Sequence, residues 1–247
     1  MKFRFGWLLF ILMPLLITVG CAHNKTIEGL NAADWLEMSR QANIDNRLDK
    51  ALDALNKAIE LDPENTDLYI YRGRTYYYLG NYTQAIIDYD KFIKFDPENT
   101  ETYLNRGNAY YYLGNYIQAI ADYNMVIKLD SKDAEAYISR GNAYCNLGNY
   151  KQAIADYDKA IGLNPKNAHS YVNRGNAYVK LGNHEKAIAD YDKTIELDAE
   201  FAFAYYSRGL SYSAFGNHKK AIADWKIAAR LGLKEAQDCL KQQGIAW

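Results

Sequence analysis

Hydrophobic and polar positions along this chain repeat in phase every 34 residues. The clearest marker is a Gly-Asn pair, which recurs at Gly80, Gly114, Gly148, Gly182 and Gly216. On either side of each pair, apolar residues recur at helical spacing, so each unit is predicted to be two helices joined by a tight turn. We refer to the first as helix A and to the second as helix B. A fixed period of this length is typical of a solenoid, in which each unit packs on its neighbours.

The period divides most of the chain into six units. They span residues 32–65, 66–99, 100–133, 134–167, 168–201 and 202–235. Proline at Pro63, Pro97 and Pro165 marks junctions between units, because proline is tolerated at the start of a helix but not in its interior. The first unit is degenerate, with Ser39 and Asn46 where later units have glycine. Terminal units of a solenoid are expected to be atypical.

A further helix is predicted after the sixth unit, over residues 234–243. Its apolar residues Ala236 and Leu240 would cover the otherwise exposed face of the final unit, while its lysines and glutamines face water. We assign residues 236–247 to this C-terminal cap.

Residues at fixed phases of the unit point to a family. In the second unit they are Tyr69, Gly73, Tyr76, Gly80, Ala85, Tyr89 and Pro97. This pattern resembles the tetratricopeptide repeat and recurs in five consecutive units, and together with the degenerate first unit the resemblance covers residues 32–235. It implies an all-α, right-handed α-solenoid of about six helix-turn-helix repeats with a C-terminal capping helix. Ser131 and Ala199 depart from the pattern at junctions where proline is usual.

Small residues and ion pairs are expected between the two helices of a unit. Glycine at the eighth position and alanine at the twentieth lack bulk, so the helices can approach closely and aromatic residues can fill the space around them. In-phase charged residues are Arg72, Arg106, Arg140, Arg174 and Arg208 on helix A, and Asp88, Asp122, Asp156, Asp190 and Asp224 on helix B. We interpret them as structural Arg–Asp pairs. A basic row for an anionic ligand is the alternative.

The opposite side of helix A is expected to line a concave groove, as the resemblance implies. It carries asparagines at the sixth and ninth positions, namely Asn105, Asn108, Asn142, Asn173 and Asn176, which we call the asparagine row. Asparagine offers both donor and acceptor groups, so the row could bond the backbone of an extended peptide. These positions are predicted to lie off the packing face, so that changing them to alanine should leave the fold intact. Solvated polar positions without a function are the alternative.

Larger side chains are concentrated at the start of this groove. They are Tyr71, Arg74, Tyr77, Tyr78, Tyr111 and Tyr112, whereas later units have smaller or charged residues at the twelfth and thirteenth positions. Tyrosine supplies contact area at low entropic cost, so the strongest anchor for a partner is predicted in the second and third units. Asp67, Glu101 and Glu135 occupy the second position and favour a ligand with some positive charge.

The N-terminal residues differ from the rest of the chain. Lys2 and Arg4 precede an apolar stretch over residues 7–19, which is typical of a secretory signal and too short for a comfortable transmembrane helix. The stretch leads to Val-Gly-Cys ending at Cys21 and resembles the lipobox of bacterial lipoproteins, although Thr18 stands where leucine is usual.

This second resemblance implies a lipid anchor. Residues 1–20 would be the lipoprotein signal, Cys21 would carry the lipid at the mature N-terminus, and residues 21–31 would form a linker. Because Ala22 follows the cysteine, the resemblance implies the outer membrane, facing the periplasm, if the organism is a diderm bacterium. An ordinary cleaved signal, giving a secreted protein, and an uncleaved membrane anchor are the alternatives.

Composition excludes some classes of function. The chain has 29 Lys and Arg against 30 Asp and Glu, so its charge balance shows no nucleic-acid footprint. The sequence lacks a phosphate-binding glycine loop, a zinc spacing of paired cysteines and a Gly-x-Ser-x-Gly nucleophile motif. We therefore expect a protein that is not an enzyme and that uses no cofactor and no metal.

These observations favour a protein–protein interaction scaffold of the bacterial cell envelope, which binds extended peptides or protein partners in its groove. The alternative is binding of peptidoglycan or another carbohydrate, because tyrosine rings also stack on sugars. Self-association is a further expectation, since Trp35, Leu36, Met38 and Ile44 of the degenerate first unit could pair with a second copy.

Overall fold

The structure, a computed structural model, describes residues 29–247, and over that range it contains α-helices and no strand. The thirteen helices are α1 (Ala32–Ile44), α2 (Leu48–Leu61), α3 (Asp67–Tyr78), α4 (Tyr82–Phe95), α5 (Thr100–Tyr112), α6 (Tyr116–Leu129), α7 (Ala134–Asn146), α8 (Tyr150–Leu163), α9 (Ala168–Lys180), α10 (His184–Leu197), α11 (Ala202–Ala214), α12 (His218–Arg230) and α13 (Lys234–Gln242). Odd-numbered helices up to α11 are the helices A, and even-numbered ones are the helices B.

The helices stack in the order of the chain. Each packs against the helix before it and the helix after it, and helices A of successive units from α3 to α11 also touch each other. Contacts between distant units are absent from the part of the chain that the structure describes, apart from weak ones. This is the predicted all-α solenoid of helix-turn-helix units.

The turn within each unit depends on one residue with a left-handed backbone. Gly80 has φ 77°, its N–H donates to the carbonyl oxygen of Tyr77, and the N–H of Asn81 donates to the carbonyl oxygen of Tyr76. These bonds satisfy the last carbonyls of α3 in a Schellman arrangement. The first unit uses Asn46, with φ 54°, at the corresponding position. Asparagine tolerates this conformation better than other residues with a Cβ, so the degenerate unit keeps the turn.

Close packing within a unit depends on a second set of glycines. A Cβ added to Gly141 would lie 2.7 Å from Cε1 of Tyr157, whose side chain is 1% exposed. Ala153 on α8 is fully buried in the same cluster. The other units from the second to the sixth repeat this arrangement, with Trp225 replacing tyrosine beside Gly209. The predicted role of these small residues is confirmed.

The C-terminal helix closes the stack. On α13, Ala236 and Leu240 are fully buried against Trp225 and Ala228 of α12. Burying a leucine contributes roughly 1.5–3 kcal/mol. The predicted capping helix is confirmed. Among the helices in the described range, none has the length and apolar character that a membrane span requires.

Candidate functional site

The recurring arginines are held inside the stack. In the fourth unit, Nε and Nη2 of Arg140 donate to the two carboxylate oxygens of Asp156 at 2.8 and 2.6 Å, and Nη1 donates to Asn124 of the preceding helix B at 2.5 Å. Bidentate pairs of this kind are the strong form of the ion pair. The equivalent arginines make the same contacts, with Asn56, Asp90, Asp158 or Asp192 as the upstream partner.

This arrangement decides between the two interpretations of the arginines. Each guanidinium joins three helices and has all three nitrogens engaged, so it is not available to an anionic ligand. Asp156 is 5% exposed, and burial of a carboxylate is tolerated here because the arginine pairs with it. Burial raises the pKa of the corresponding Asp122, while Arg106 acts in the opposite direction. The structural Arg–Asp pairs are therefore present as predicted.

The asparagines at the ninth position have a partner that the sequence pattern did not predict. Buried tyrosines of helices B donate their hydroxyl hydrogens to the Oδ1 atoms of Asn108, Asn142 and Asn176 at 2.8, 2.7 and 2.8 Å. The donors are Tyr123, Tyr157 and Tyr191. Each asparagine therefore accepts a hydrogen bond from the buried tyrosine of its own unit. The expectation that these positions lie off the packing face is wrong.

The same bonds fix what the asparagines offer to a ligand. Oδ1 of Asn142 accepts two bonds, from Tyr157 and Asn173, so its amide nitrogen is the group left for the groove, whereas Asn108 and Asn176 keep one acceptor lone pair beside their amide donors. Asn173 adds to the row, because its Nδ2 donates to Oδ1 of Asn142 at 3.1 Å. Asn105 lies half-buried on α5 and lines neither of the groove pockets described next.

Two pockets lie along the helices A in the middle of the stack. The first, which we call the tyrosine pocket, has a volume of about 280 Å³ and is lined by Tyr77, Asn108, Tyr111, Tyr112, Tyr123, Glu135, Ser139 and Asn142. The second has about 150 Å³ and is lined by Tyr111, Asn142, Cys145, Asn146, Tyr157, Asn173 and Asn176. Tyr111 and Asn142 belong to both. The structure thus brings most of the predicted tyrosines and asparagines together on one continuous surface.

The tyrosine pocket is built from rings that meet mostly edge to face. The ring centroids of Tyr77 and Tyr112 are 5.9 Å apart at an interplanar angle of 69°. Tyr82 stacks on Tyr112 at 5.2 Å and 10°, and Tyr116 meets Tyr111 at 5.4 Å. Such pairs are stabilising beyond the area that they bury. Tyr82 and Tyr116 were missed from the sequence, although both directly follow a Gly-Asn turn.

A separate pocket of about 750 Å³ lies at the N-terminal end, between α1 and α3. It is lined by Arg40, Asn43, Ile44, Asn46, Leu48, Tyr71, Arg74, Thr75 and Tyr78. Nη2 of Arg40 donates to the hydroxyl of Tyr71 at 3.3 Å, and Arg74 forms an ion pair with Glu101 on α5. Three of the predicted groove residues, Tyr71, Arg74 and Tyr78, therefore line this pocket rather than the tyrosine pocket.

The described residues contain no cluster of three or more His, Cys, Asp or Glu side chains that could hold a metal ion. Burial raises the pKa of Tyr77 and of Tyr111 above the ordinary value of a tyrosine. The predicted lipidation site, Cys21, lies outside the described residues.

Comparison with known families agrees with this architecture. A TPR repeat model matches residues 73–114, 107–148, 141–182 and 175–216, and a tetratricopeptide repeat model matches residues 54–87. Together the first set of matches covers more than half of the chain. The chain belongs to the tetratricopeptide repeat family.

Solved structures of similar proteins have the same fold. MamA is 35% identical over 67% of this chain and 96% of its own, with a TM-score of 0.62. A tetratricopeptide repeat protein from Parabacteroides merdae is 25% identical over 87% of this chain and 85% of its own, with a TM-score of 0.66. YrrB, described as a TPR protein with an unusual peptide-binding site, is 22% identical over 77% of this chain and 99% of its own, with a TM-score of 0.62. No match was found among curated proteins.

Proposed function

We propose that this protein is a non-catalytic scaffold that holds an extended segment of a partner protein along the helices A. The observation that carries the proposal is the set of amide donors of Asn108, Asn142 and Asn176, one in each of the third, fourth and fifth units and oriented by buried tyrosines. Helices that pack at roughly 10 Å and an extended chain that rises about 3.3 Å per residue would place one donor at about every third peptide residue. Carbonyl oxygens of the partner's backbone would accept these bonds.

The similar proteins support this type of partner. Tetratricopeptide repeats form a protein-interaction fold, and YrrB is described as having a peptide-binding site. A scaffold that bonds mainly to the backbone of its partner would accept segments of different sequence. The tyrosines at one end of the groove would supply the main contact with the partner's side chains.

The test removes the amide donors of the three asparagines and keeps an oxygen atom at each position. In the triple variant Asn108→Asp, Asn142→Asp and Asn176→Asp, an oxygen remains for each tyrosine hydroxyl, but the amide nitrogen is replaced by a carboxylate oxygen. We expect capture of partner proteins from envelope extracts to fall at least tenfold, measured by quantitative mass spectrometry.

The matched control changes three exposed amides on helices B, Gln84→Glu, Gln118→Glu and Gln152→Glu, and adds the same charge away from the groove. It should capture the same partners as the unaltered protein. Equal partner sets for the asparagine variant and this control would rule out the groove as the binding surface.

We also propose that the scaffold is anchored in the bacterial cell envelope through a lipid on Cys21. Support comes from the charged start, the apolar stretch over residues 7–19 and the cysteine that follows it. Mass spectrometry of the mature N-terminus should find an acylated Cys21, and Cys21→Ser should release the protein from the membrane fraction. An unmodified N-terminus, or membrane retention of the variant, would exclude the lipid anchor.

Pairing of two copies through the first unit is a separate proposal. Ile44 is 79% exposed and Met38 is 47% exposed, so this end of the stack presents apolar side chains to solvent. Light scattering should show a dimer that dissociates on Met38→Lys and Ile44→Lys. A monomer in both cases would end this proposal.

Exposed rings favour one further candidate, binding of peptidoglycan or another carbohydrate. Tyr78 is 72% exposed and Tyr112 is 59% exposed. Co-sedimentation with purified sacculi distinguishes the candidates, because a scaffold for proteins alone stays in the supernatant.

A further inference from the structure

We propose that the tyrosine pocket binds the charged end of a lysine or arginine side chain from the partner segment, an inference that rests on the proposed function. The pocket would then determine which segment the scaffold holds, whereas the asparagine donors would hold any extended backbone. Three features of the pocket support a cationic occupant.

The first feature is the aromatic wall. Tyr77, Tyr111 and Tyr112 line the pocket, and their rings meet one another at steep angles rather than lying in one plane. A cation within about 6 Å of a ring face is attracted by the electrons of that face. Because the rings of Tyr77 and Tyr111 are steeply inclined to that of Tyr112, the cluster is not a flat platform, and Tyr82 stacks on Tyr112.

The second feature is an unpaired carboxylate. Glu135 is the one charged residue in the wall of this pocket. It takes part in none of the ion pairs that the described residues form, whereas Glu101, at the same position one unit earlier, pairs with Arg74. A lysine or arginine in the pocket would therefore meet a free negative charge and no resident cation.

The third feature is the position of the backbone donors. The side chains of Asn108 and Asn142 line the same pocket, and their Oδ1 atoms are engaged by Tyr123 and Tyr157. Their amide N–H groups can donate to carbonyl oxygens of the partner on both sides of the inserted residue. The pocket at the N-terminal end is lined by Arg40 and Arg74 and by no acidic residue, so it offers no carboxylate to a basic side chain.

The test measures charge selectivity with defined probes. These are dye-labelled, C-terminally amidated heptapeptides of alanine and serine that carry lysine, arginine, acetyl-lysine or glutamate at the centre. Fluorescence anisotropy should show that the lysine and arginine peptides bind at least tenfold more tightly than the acetyl-lysine and glutamate peptides. Glu135→Gln should remove most of this preference, and Tyr112→Leu should weaken binding of the basic peptides several-fold.

Asp67→Asn is the matched control, because Asp67 is an exposed carboxylate at the same position of the second unit and does not line the pocket. Circular dichroism should show that all variants stay folded. Equal affinity for the lysine and acetyl-lysine peptides would overturn the proposal, and so would equal effects of Glu135→Gln and Asp67→Asn.

The peptide measurements distinguish a failure of the cation pocket from a failure of the proposed groove function. If all peptides bind equally and the triple asparagine variant abolishes binding, the groove function stands and the cation pocket is wrong. If no peptide binds the unaltered protein at millimolar concentration, both are wrong.

Discussion

On the side that faces the helices B, the fourth and fifth units are nearly identical: Arg140 and Gly141 correspond to Arg174 and Gly175, with the same bidentate pair to an aspartate and the same buried tyrosine. On the groove side, the pair of tyrosines at the end of α5 is replaced by Cys145 and Asn146 on α7, and by Val179 and Lys180 on α9. The packing face repeats because every unit must fit the same neighbour. The twelfth and thirteenth positions on the groove face vary, whereas the ninth position keeps an asparagine in the three units where a buried tyrosine donates to it.

Alkaline pH should affect the packing face most. Burial raises the pKa of Tyr123, Tyr157 and Tyr191 above the ordinary value of 10. A raised folded-state pKa contributes stability that is fully present below pH 10 and lost as pH rises beyond it, because the unfolded chain ionises first. We expect unfolding above pH 10, with tyrosinate absorbance and loss of the helical circular dichroism signal changing together.

A control for this pH effect is Tyr157→Phe, which removes one titrating hydroxyl and should reduce the steepness of the alkaline transition. Ionisation of all tyrosines near pH 10 with the helices intact would contradict the prediction.

Breaking one ion pair should have the next largest effect. Arg140→Met leaves the buried Asp156 without its partner, and we expect the free energy of unfolding to fall by about 3 kcal/mol, measured by urea denaturation. Adding Asp156→Leu should recover most of the loss, because a buried ion pair can be replaced by apolar residues of similar volume. If the single and double variants are equally unstable, the pairing does not explain the effect.

Changing either of two glycines of the same unit to alanine should shift the stability of the protein in opposite directions. Gly141→Ala places a methyl group 2.7 Å from the ring of Tyr157, which the hydrogen bond to Asn142 holds in place, and should cost about 1–3 kcal/mol. Gly162→Ala meets nothing within 4 Å on α8 and should stabilise by up to about 1 kcal/mol through helix propensity. Thermal melting compares the two, and a shift in the same direction would refute the packing argument.

Substitutions on the groove face should have the smallest effects on stability. The size of the effect should depend on whether the side chain bonds a buried tyrosine. Asn142→Ala leaves the buried Tyr157 hydroxyl without its acceptor and should cost about 1 kcal/mol. Tyr78→Ser changes a side chain that is 72% exposed and should stay within about 0.5 kcal/mol. Urea denaturation measures both, and a loss from Tyr78→Ser as large as that from Asn142→Ala would show that the asparagine has no special structural role.

Much of the fold follows from the 34-residue period. Spacing alone places Gly141, Ala153 and the Arg–Asp pairs on the packing face, because only small or paired side chains fit a repeated helix crossing. The groove was harder to predict. The asparagine row is visible as a pattern, but its position at the edge between two faces hides the bond from Asn142 to a tyrosine 15 residues later.

What the sequence determined by itself is therefore the architecture, since a strict repeat of small, aromatic and charged residues predicts the same helix packing in every unit. The tertiary structure decided the chemistry of the groove. It bonded asparagine oxygens to buried tyrosines and left the amide nitrogens available as donors, and it directed Tyr77 and Tyr78 to different pockets. It also paired Glu101 with Arg74 and left Glu135 without an ion pair. These outcomes depend on distances between neighbouring units, which a pattern along one chain does not contain.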